Sequence, residues 1–502
     1  MSKYNKLLAV LIIFALLFIS LAGCNNQNDK KESVEQNNNA DNQSGENDGD
    51  TQDAGKSDRE PPVNLPEKDF DGYEFVILAT DSEHPWHTYA TDEENAEIMN
   101  DAVYIRNRRI EDRYNISIKQ VSVGDPSGTA SRSLRAMDNS YDLLMISLDT
   151  AANFAIQGFL QDIHQIPYLS EAMIKPWWDQ GLREELTING KLFFNTGDIT
   201  TFANLRTACM YFNKGMFQQF NLEYPYESVK SGKWTIDALL ELTKGVNRDV
   251  NGDGVMDQED QWGFMSEWRN GTLMYYACGE SITRKVGDNF EITFANTRSI
   301  EVIDKILTIC TDGISMFHAN TIKGASNVWY EASNLFQQDR FLVRSSLFEP
   351  IPRDLRNMPT DFGVIPYVKF DENQDKYYSL TGNEGTVAAI PVYAVDGDLE
   401  RTGIMVESLA YDSIDTLTVA FYDKSLTSKV MRDDESSEML DIIFSSKVFS
   451  LGHIFNIGGY GSMLDSMVQS KNTNFMSGYE KAYDRAVRDL EKIMNQYHEV
   501  TG

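Results

Sequence analysis

The sequence is poor in cysteine, histidine and positive charge, and each shortage excludes a class of protein. Four cysteines occur in 502 residues; if Cys24 is modified, as argued below, the odd set Cys209, Cys278 and Cys310 cannot form a disulfide framework. The six histidines are scattered, and no CxxC pair or Cys/His cluster is present, which argues against zinc. The 45 Lys and Arg residues face 76 Asp and Glu residues, giving a formal net charge of −31. Such a field repels phosphate backbones, so we expect no nucleic-acid partner.

Long apolar runs are also scarce, and the longest lies at the N-terminus. Lys3 and Lys6 precede the run from Leu7 to Leu21, which is too short for a comfortable membrane span but typical of an export signal. The segment Leu21-Ala22-Gly23-Cys24 resembles the lipobox of bacterial lipoproteins, in which the cysteine thiol receives diacylglycerol. We predict a signal peptide at residues 1–23, a lipid on Cys24 and anchoring at the extracellular face of the cell membrane. An ordinary secretory signal with an incidental cysteine is the alternative.

The next segment, residues 24–66, is rich in Asn, Gln, Asp, Glu, Ser and Gly and has almost nothing to bury. This composition predicts a disordered, solvated tether between the membrane and the folded part of the chain. The remaining length, with 41% hydrophobic residues overall, is enough for two or three domains.

Strand-like and helix-like segments alternate after the tether. Tyr73 to Leu78, Ile116 to Val123 and Leu143 to Leu148 are β-rich runs separated by helical periodicity. This alternation predicts a parallel sheet with helices packed on it, in which ligands bind beyond the carboxyl ends of the strands. The loops Thr80 to His87 and Asp149 to Asn153 follow such ends.

An acidic loop at residues 249–260 has the spacing of an EF-hand-like calcium site. Gly254 permits its sharp turn, and the residue in the last position is Asp where an EF-hand prefers Glu. The candidate ligands are Asp249, Asn251, Asp253, Val255 through its carbonyl, Asp257 and Asp260. We predict one structural Ca²⁺, bound more weakly than in an EF-hand; an acidic surface turn without an ion is the alternative.

Several segments, in order along the chain, resemble one family, the carbohydrate-type (family 1) extracellular solute-binding lipoproteins of ABC importers. The matching segments are Tyr141 to Ile163, Asn189 to Leu192, Tyr211 to Lys214, Lys233 to Asp237, Asp253 to Gly263 and Asp361 to Pro366. Each is weak alone, but their order and spacing behind a lipobox make the resemblance strong, and they extend over most of residues 68–502.

The resemblance implies an α/β protein with a two-lobed, type II periplasmic-binding-protein-like fold. Each lobe is a sheet flanked by helices, and the ligand cleft lies between the lobes. Residues 67–200 and about 361–440 would form the first lobe, and residues 201–360 and about 441–502 the second. A monomer of this family captures a mono- or oligosaccharide by lobe closure and delivers it to the permease subunits of an ABC importer.

Sugar binding needs polar groups that pair with hydroxyls and aromatic faces that cover the apolar side of the ring. Three candidates lie on the loop after the first strand, and the others match cleft positions of the family. The candidates are Asp81, Glu83, Trp86, Asp149, Arg206, Glu267, Trp268, Arg269, Phe348 and Glu349.

Some of these candidates also have a structural interpretation. Asp149 could cap a helix, Trp268 could pack in the core, and Trp86 could pack beneath a solvated loop. Trp329 and Tyr460 are further aromatic candidates, whereas the Trp177–Trp178 pair, which follows a proline, is expected to be structural.

Two other classes of function stay open. The same fold could report a bound sugar to a membrane sensor kinase, or the chain could be an anchored glycosidase that uses two carboxylates. The sequence has no GxSxG, HExxH or P-loop motif, which disfavours an enzyme. Arg206, Arg269 and Arg344 leave an acidic sugar possible, and a non-sugar solute is also open.

Overall fold

The computed structural model describes residues 65–394, 396–422 and 434–500, and residues 57–502 group into one compact unit. The predicted signal peptide, Cys24 and nearly all of the tether lie outside the described residues. Within the described ranges, no helix combines the length and the apolar character needed to cross a membrane.

The strands and helices alternate along most of the chain. The strands are β1 (Tyr73–Thr80), β2 (Ile116–Val123), β3 (Leu143–Ser147), β4 (Phe194–Asn195), β5 (Ala208–Asn213), β6 (Trp262–Ser266), β7 (Thr283–Val286), β8 (Asn289–Ile292), β9 (Phe317–His318), β10 (Phe341–Leu347), β11 (Phe362–Ile365), β12 (Ser379–Leu380), β13 (Thr386–Ala389) and β14 (Lys447–Val448).

The α-helices vary from single turns to a closing helix of seven turns. They are α1 (Ile98–Tyr114), α2 (Pro126–Ala136), α3 (Leu148–Ile156), α4 (Leu169–Ala172), α5 (Gln180–Leu186), α6 (Phe202–Leu205), α7 (Lys214–Phe220), α8 (Tyr226–Lys230), α9 (Ile236–Thr243), α10 (Asn270–Ala277), α11 (Thr297–Thr311), α12 (Val328–Gln337), α13 (Pro350–Arg353), α14 (Asp396–Asp412), α15 (Leu417–Val419), α16 (Asp434–Ser445), α17 (Leu451–Ile454), α18 (Met463–Ser470) and α19 (Phe475–Glu499).

Two five-stranded sheets share one plan. The first has the order β2-β1-β3-β13-β4 and the second has the order β9-β6-β10-β5-β11. In each sheet the first three strands run parallel, and the fourth is antiparallel to both of its neighbours. We call the regions around these sheets the first lobe and the second lobe. The prediction of an α/β protein with two sheets flanked by helices is confirmed.

Local patterns explain these elements. Strands β1 to β3 lie where the β-rich runs predicted them, and helix α9 begins after Thr235, whose hydroxyl accepts a hydrogen bond from the Ala238 amide. Strand β5 is buried at every position because other strands flank it on both sides and helices cover the sheet. The closing helix α19 buries one apolar stripe that includes Leu490 and Tyr497.

The return of the chain to the first lobe differs from the expectation. The segment Asp361 to Pro366 was predicted to re-enter the first lobe, but β11 pairs with β5 in the second sheet. The first sheet is rejoined at β13, and α16 packs against β11 in the second lobe. The physical reason is that a short apolar strand has no local feature that selects one of two sheets, so its partner strand decides.

Candidate functional site

A chain of alternating charges lies where the first lobe passes into the second. Arg206, directly after α6, donates a hydrogen bond from Nη1 to Glu349 Oε2 at 2.5 Å, and its Nη2 lies 3.2 Å from Glu384 Oε2. Arg269 Nη2 lies 2.8 Å from Glu384 Oε1. At the other end, Arg353 Nη1 donates to Glu349 Oε1 at 2.6 Å. Five side chains therefore form a continuous ladder, which we call the arginine ladder.

Glu384 is the residue that links the two lobes in this ladder. It precedes β13 of the first sheet, whereas Arg269 follows β6 of the second. Partial burial raises the pKa of Glu384, but the guanidinium groups of Arg269 and Arg206 outweigh it and lower this pKa to about 2. Glu384 is therefore a carboxylate at every physiological pH.

One pocket opens beside the ladder with about 550 Å³ of open space. We call it the tryptophan pocket, because Trp329 at the start of α12 lines it with half of its surface exposed. Its lining residues are Arg206, Arg269, Asn327, Trp329, Ser346, Leu347, Glu349, Pro350, Arg353 and Glu384. The pocket thus combines a half-exposed indole with charged hydrogen-bonding groups of both signs.

A second pocket, with about 640 Å³ of open space, also has Arg269 and Glu384 in its wall. We call it the histidine pocket. Its lining residues are Arg269, Thr272, Leu273, Leu380, Gly382, Asn383, Glu384, His453, Asn456, Gly461, Ser462 and Asp465. Burial lowers the pKa of His453 to about 4, so the imidazole is neutral near pH 7.

Arg206, Arg269 and Glu349 are thus brought together as the sequence suggested, whereas Glu267 is not. Glu267 was assigned to the cleft, but it is 4% exposed and accepts a hydrogen bond from Arg344 Nη2 at 3.0 Å. Arg344 is fully buried and also donates to Ser333 on α12. A buried carboxylate requires such a partner, so Glu267 supports the helix that carries Trp329 and does not face the pocket.

Three other aromatic candidates pack inside the protein. Phe348, assigned to the cleft, is fully buried, and its ring lies 5.2 Å from that of Phe444. Trp268 is partly buried against the core. Tyr460 is buried and stacks on Tyr479 at 5.3 Å. Their apolar surface is used in packing, which is the commoner fate of a large aromatic residue.

The first-lobe candidates line neither pocket. Asp81 and Glu83 are exposed, and Trp86 is 8% exposed and packs in the core. Asp149 lies in the first turn of α3, where its Oδ1 accepts a hydrogen bond from the Ser147 hydroxyl at 2.6 Å. Ser147, not Asp149, occupies the cap position.

The loop after β1 nevertheless approaches the ladder through His87, the last residue of the predicted loop, which was not among the individual candidates. The ring of His87 lies 4.1 Å from that of Phe202, and the Arg206 guanidinium lies 5.9 Å from the same phenyl ring. Burial lowers the pKa of His87 to about 4, which leaves this side chain neutral.

Comparisons with known proteins agree with this architecture. A scan against protein-family models and a search of curated proteins found no match. Solved structures do match over most of the chain. A cyclo/maltodextrin-binding protein complexed with maltotetraose has a TM-score of 0.55 and 14% identity, and the match covers 86% of this chain and 97% of that protein.

Two further solved structures match to a similar degree. The apo form of RafE from Streptococcus pneumoniae has a TM-score of 0.53 and 13% identity, covering 85% of this chain and 98% of RafE. An ABC transporter solute-binding protein from Thermotoga lettingae, bound with α-D-tagatose, has a TM-score of 0.52 and 15% identity, covering 84% and 100%. The chain has the fold of ABC-transporter solute-binding proteins. The fold implied by the sequence resemblance is therefore confirmed.

The acidic loop at residues 249–260 is held by hydrogen bonds between its own carboxylates and its own backbone amides. Asp249 accepts hydrogen bonds from the amides of Gly252 and Gly254, and Asp260 accepts from the amides of Val250 and Asp257. Asp257 also pairs with Lys323 Nζ at 2.8 Å. Over the described residues, no group of three or more His, Cys, Asp or Glu side chains converges to hold a metal ion. Calcium binding at residues 249–260 stays a prediction.

Glu384, Arg353, Asn383 and His453 line the two pockets but were not among the residues that the sequence indicated. Glu384 lies in the segment Thr-Gly-Asn-Glu-Gly-Thr, whose two glycines and lone charge before an apolar run were a usable signal for a strand-end loop. His453 had no such signal, since it follows an apolar segment and reaches the pocket only through the packing of α17.

Proposed function

We propose that this protein is a membrane-anchored solute-binding protein that captures a sugar between its lobes and delivers it to an ABC importer. The observation that carries the proposal is the half-exposed Trp329 beside the arginine ladder. An exposed indole offers a face to the C–H side of a sugar ring, and the ladder offers paired hydrogen bonds to hydroxyls. The solved structures with a similar fold include proteins complexed with maltotetraose and tagatose.

The charge balance of the pocket favours a neutral sugar. Arg206, Arg269 and Arg353 are offset by Glu349, Glu384 and Asp354, which lie within ion-pair distance of them. An acidic sugar would have to compete with these carboxylates for the guanidinium groups. We therefore expect hydroxyl-rich neutral ligands to bind more tightly than uronates.

Calorimetric titration of the purified chain tests the proposal. The panel contains glucose, tagatose, maltotetraose, raffinose and glucuronate, and the recovered glycan is examined for cleavage. Saturable binding of an intact neutral glycan supports a binding protein. Cleavage of the glycan would overturn the proposal in favour of a glycosidase. If no member of the panel binds, the ligand is a non-sugar solute.

A matched pair of variants connects binding to the pocket. Trp329→Ala removes the exposed indole and should weaken binding at least tenfold, because aromatic stacking on a sugar ring is lost. Tyr330→Ala removes a neighbouring ring that is 51% exposed but does not line the pocket, and should leave affinity unchanged. Equal effects of the two substitutions would place the ligand elsewhere.

The lipid on Cys24 and the calcium ion at residues 249–260 belong to the same proposal and rest on sequence pattern. Fatty-acid labelling of cells that express the chain should be lost in Cys24→Ser. Adding Ca²⁺ to chelator-treated protein should raise its melting temperature, and Asp249→Asn should reduce that rise. If neither Ca²⁺ nor EDTA changes the melting temperature, the calcium proposal is wrong.

A further inference from the structure

Three Asn-Gly dipeptides occur in the chain, and each lies in a different environment. They are Asn189-Gly190, Asn251-Gly252 and Asn270-Gly271. An asparagine that precedes a glycine can modify itself, because glycine has no Cβ to keep its backbone nitrogen away from the side-chain carbon Cγ of the asparagine. If that nitrogen attacks Cγ, the side-chain amide is lost as ammonia. The groups held around each dipeptide therefore decide whether the reaction occurs.

The dipeptide at residues 251–252 lies in the acidic loop and has a base against its nucleophile. The Gly252 amide donates a hydrogen bond to Asp249 Oδ1 at 2.6 Å. A general base acts from within hydrogen-bonding distance of the atom that gives up the proton. The Asp249 carboxylate is therefore positioned to take the proton that the Gly252 nitrogen must lose when it attacks.

The side-chain carbonyl of Asn251 is also held by a hydrogen-bond donor. Asn251 Oδ1 accepts a hydrogen bond from the Asp253 amide at 2.9 Å. Negative charge develops on this oxygen when a nucleophile adds to Cγ, and a backbone N–H group held against it stabilises that charge. All three residues are exposed, so water reaches them. No atom of the described chain outside the two neighbouring residues lies within 4 Å of the position that a Cβ on Gly252 would occupy, which leaves room for a ring to form.

The other two dipeptides lack this combination. The Gly271 amide donates to the backbone carbonyl of Trp268, which is not a base, and Asn270 is fully buried at the start of α10. Asn189 is partly exposed in a tight turn, but over the described residues no carboxylate accepts a hydrogen bond from the Gly190 amide. The chain therefore contains its own references for the dipeptide in the acidic loop.

We propose that Asn251 is a self-modifying residue, which the acidic loop converts to an aspartyl or isoaspartyl residue without an enzyme. Asp249 takes the amide proton of Gly252, and the freed nitrogen forms a bond to Asn251 Cγ. The bond from Cγ to Nδ2 then breaks, and the nitrogen leaves as ammonia with the proton that Asp249 returns. Water adds to either carbonyl carbon of the resulting cyclic imide and opens it, which leaves a carboxylate and releases a proton.

The product changes the electrostatics of the loop. Asn251 Nδ2 donates a hydrogen bond to Glu259 Oε2 at 3.3 Å. A carboxylate in place of this amide would repel Glu259. The conversion therefore removes one hydrogen bond from the loop and adds one negative charge to it. The inference does not depend on sugar binding.

Peptide mapping of the purified chain tests the inference. The folded protein is aged at neutral pH with EDTA, which keeps cations from the loop, and is then digested with trypsin. Trypsin places the three dipeptides in separate peptides, residues 184–191, 249–269 and 270–284, whose change from amide to carboxyl is read by mass spectrometry. Asn251 should convert at least about tenfold faster than Asn189 or Asn270. In urea the three rates should become similar, because the folded environments are lost.

A matched pair of variants tests the role of the base. Asp249→Asn keeps the size of the side chain and removes the carboxylate, so conversion of Asn251 should slow at least about tenfold. Asp253→Asn makes the same change of charge but keeps the backbone N–H group that binds Asn251 Oδ1, and its rate should match that of the unchanged protein.

Two results would overturn the proposal. One is conversion of Asn251 no faster than that of Asn189 in the folded protein, and the other is equal conversion of Asn251 in Asp249→Asn and Asp253→Asn. If the melting temperature shows that Asp249→Asn does not fold, the ratio of the Asn251 and Asn189 rates in the unchanged protein decides by itself.

Discussion

Two buried glutamates, one in each lobe, are almost equally hidden from water but are held in different ways. Glu267 in the second lobe is 4% exposed and pairs with the guanidinium of Arg344. Glu407, on α14 of the first lobe, is 3% exposed and accepts hydrogen bonds from the indole N–H groups of Trp177 and Trp178 at 3.1 and 2.9 Å. Glu267 is therefore paired with a positive charge, whereas Glu407 is hydrogen-bonded only to the neutral N–H groups of two indoles.

The two carboxylates consequently have different roles in their lobes. Burial raises the pKa of Glu407 to about 7, although the two indoles and the more distant Lys175 oppose the shift. This carboxyl group therefore titrates near neutral pH. Arg344, by contrast, donates onward to Ser333 on α12, so the second-lobe pair connects the core to the helix that presents Trp329. Glu407 thus holds the two tryptophans in the first lobe, whereas the Glu267–Arg344 pair holds the helix that carries Trp329 in the second lobe.

Removing the charge compensation should give the largest effect. Arg344→Met leaves Glu267 buried beside an apolar side chain and should lower the free energy of unfolding by ~3–5 kcal/mol, as is typical when one partner of a buried pair is lost. Urea unfolding measures this change. The control is Arg284→Met, whose exposed pair with Glu291 should contribute only ~0–1 kcal/mol. Equal losses in the two variants would contradict the role of Arg344.

The glutamate without a charged partner should make stability depend on pH. The pKa of Glu407 is about 7 in the folded protein, whereas a solvated glutamate, as in the unfolded chain, has a pKa of 4.5. Between these pH values the native state therefore binds more protons than the unfolded state. Stability should therefore fall as pH rises through this window, by at most ~3 kcal/mol.

Glu407→Gln should remove that part of the slope, which comparison of unfolding free energies at about pH 5 and pH 8 would measure. Glu185, whose pKa burial also raises to about 7, is present in both proteins and cancels in the difference. Parallel pH curves for the two proteins would show that Glu407 does not titrate in this range.

Removing one indole donor should give a smaller effect. Trp178→Phe deletes the shorter hydrogen bond to Glu407 in a residue that is 2% exposed and should cost ~1–3 kcal/mol of unfolding free energy. It should also raise the pKa of Glu407 further, because that hydrogen bond lowers it. Trp329→Phe, at a half-exposed site, is the control for indole loss and should barely change the melting temperature.

Substitutions of exposed carboxylates should have the smallest effect on stability. Asp81→Asn and Glu83→Gln alter side chains that lie in solvent on the loop after β1. Each should change the unfolding free energy by less than about 0.5 kcal/mol, and sugar affinity should not change, because neither residue lines the tryptophan pocket or the histidine pocket. A large loss of affinity in either variant would bring the first-lobe loop into the binding site.

The sequence predicted well where local rules decide. The β-rich runs of β1, β2 and β3, the Thr235 cap and the stripe of α19 depend on neighbours within a few residues, and the structure has each of them. Prediction was poorer for Glu267, because its partner Arg344 is 77 residues away and no local pattern reports the pairing.

Strand and helix periodicity predicted the α/β class, and segments that resemble one family implied the two-lobed fold and placed Arg206, Arg269 and Glu349 among the cleft candidates. The pairing of Glu384 with two arginines, the position of Trp329 in a pocket wall and the burial of Phe348 follow from the folded structure and not from any local pattern. Those outcomes depend on which strands pair and which helices cover them. Burial and ion pairing of this kind join residues more than a hundred positions apart, and the free energy that selects them arises only when the lobes are assembled.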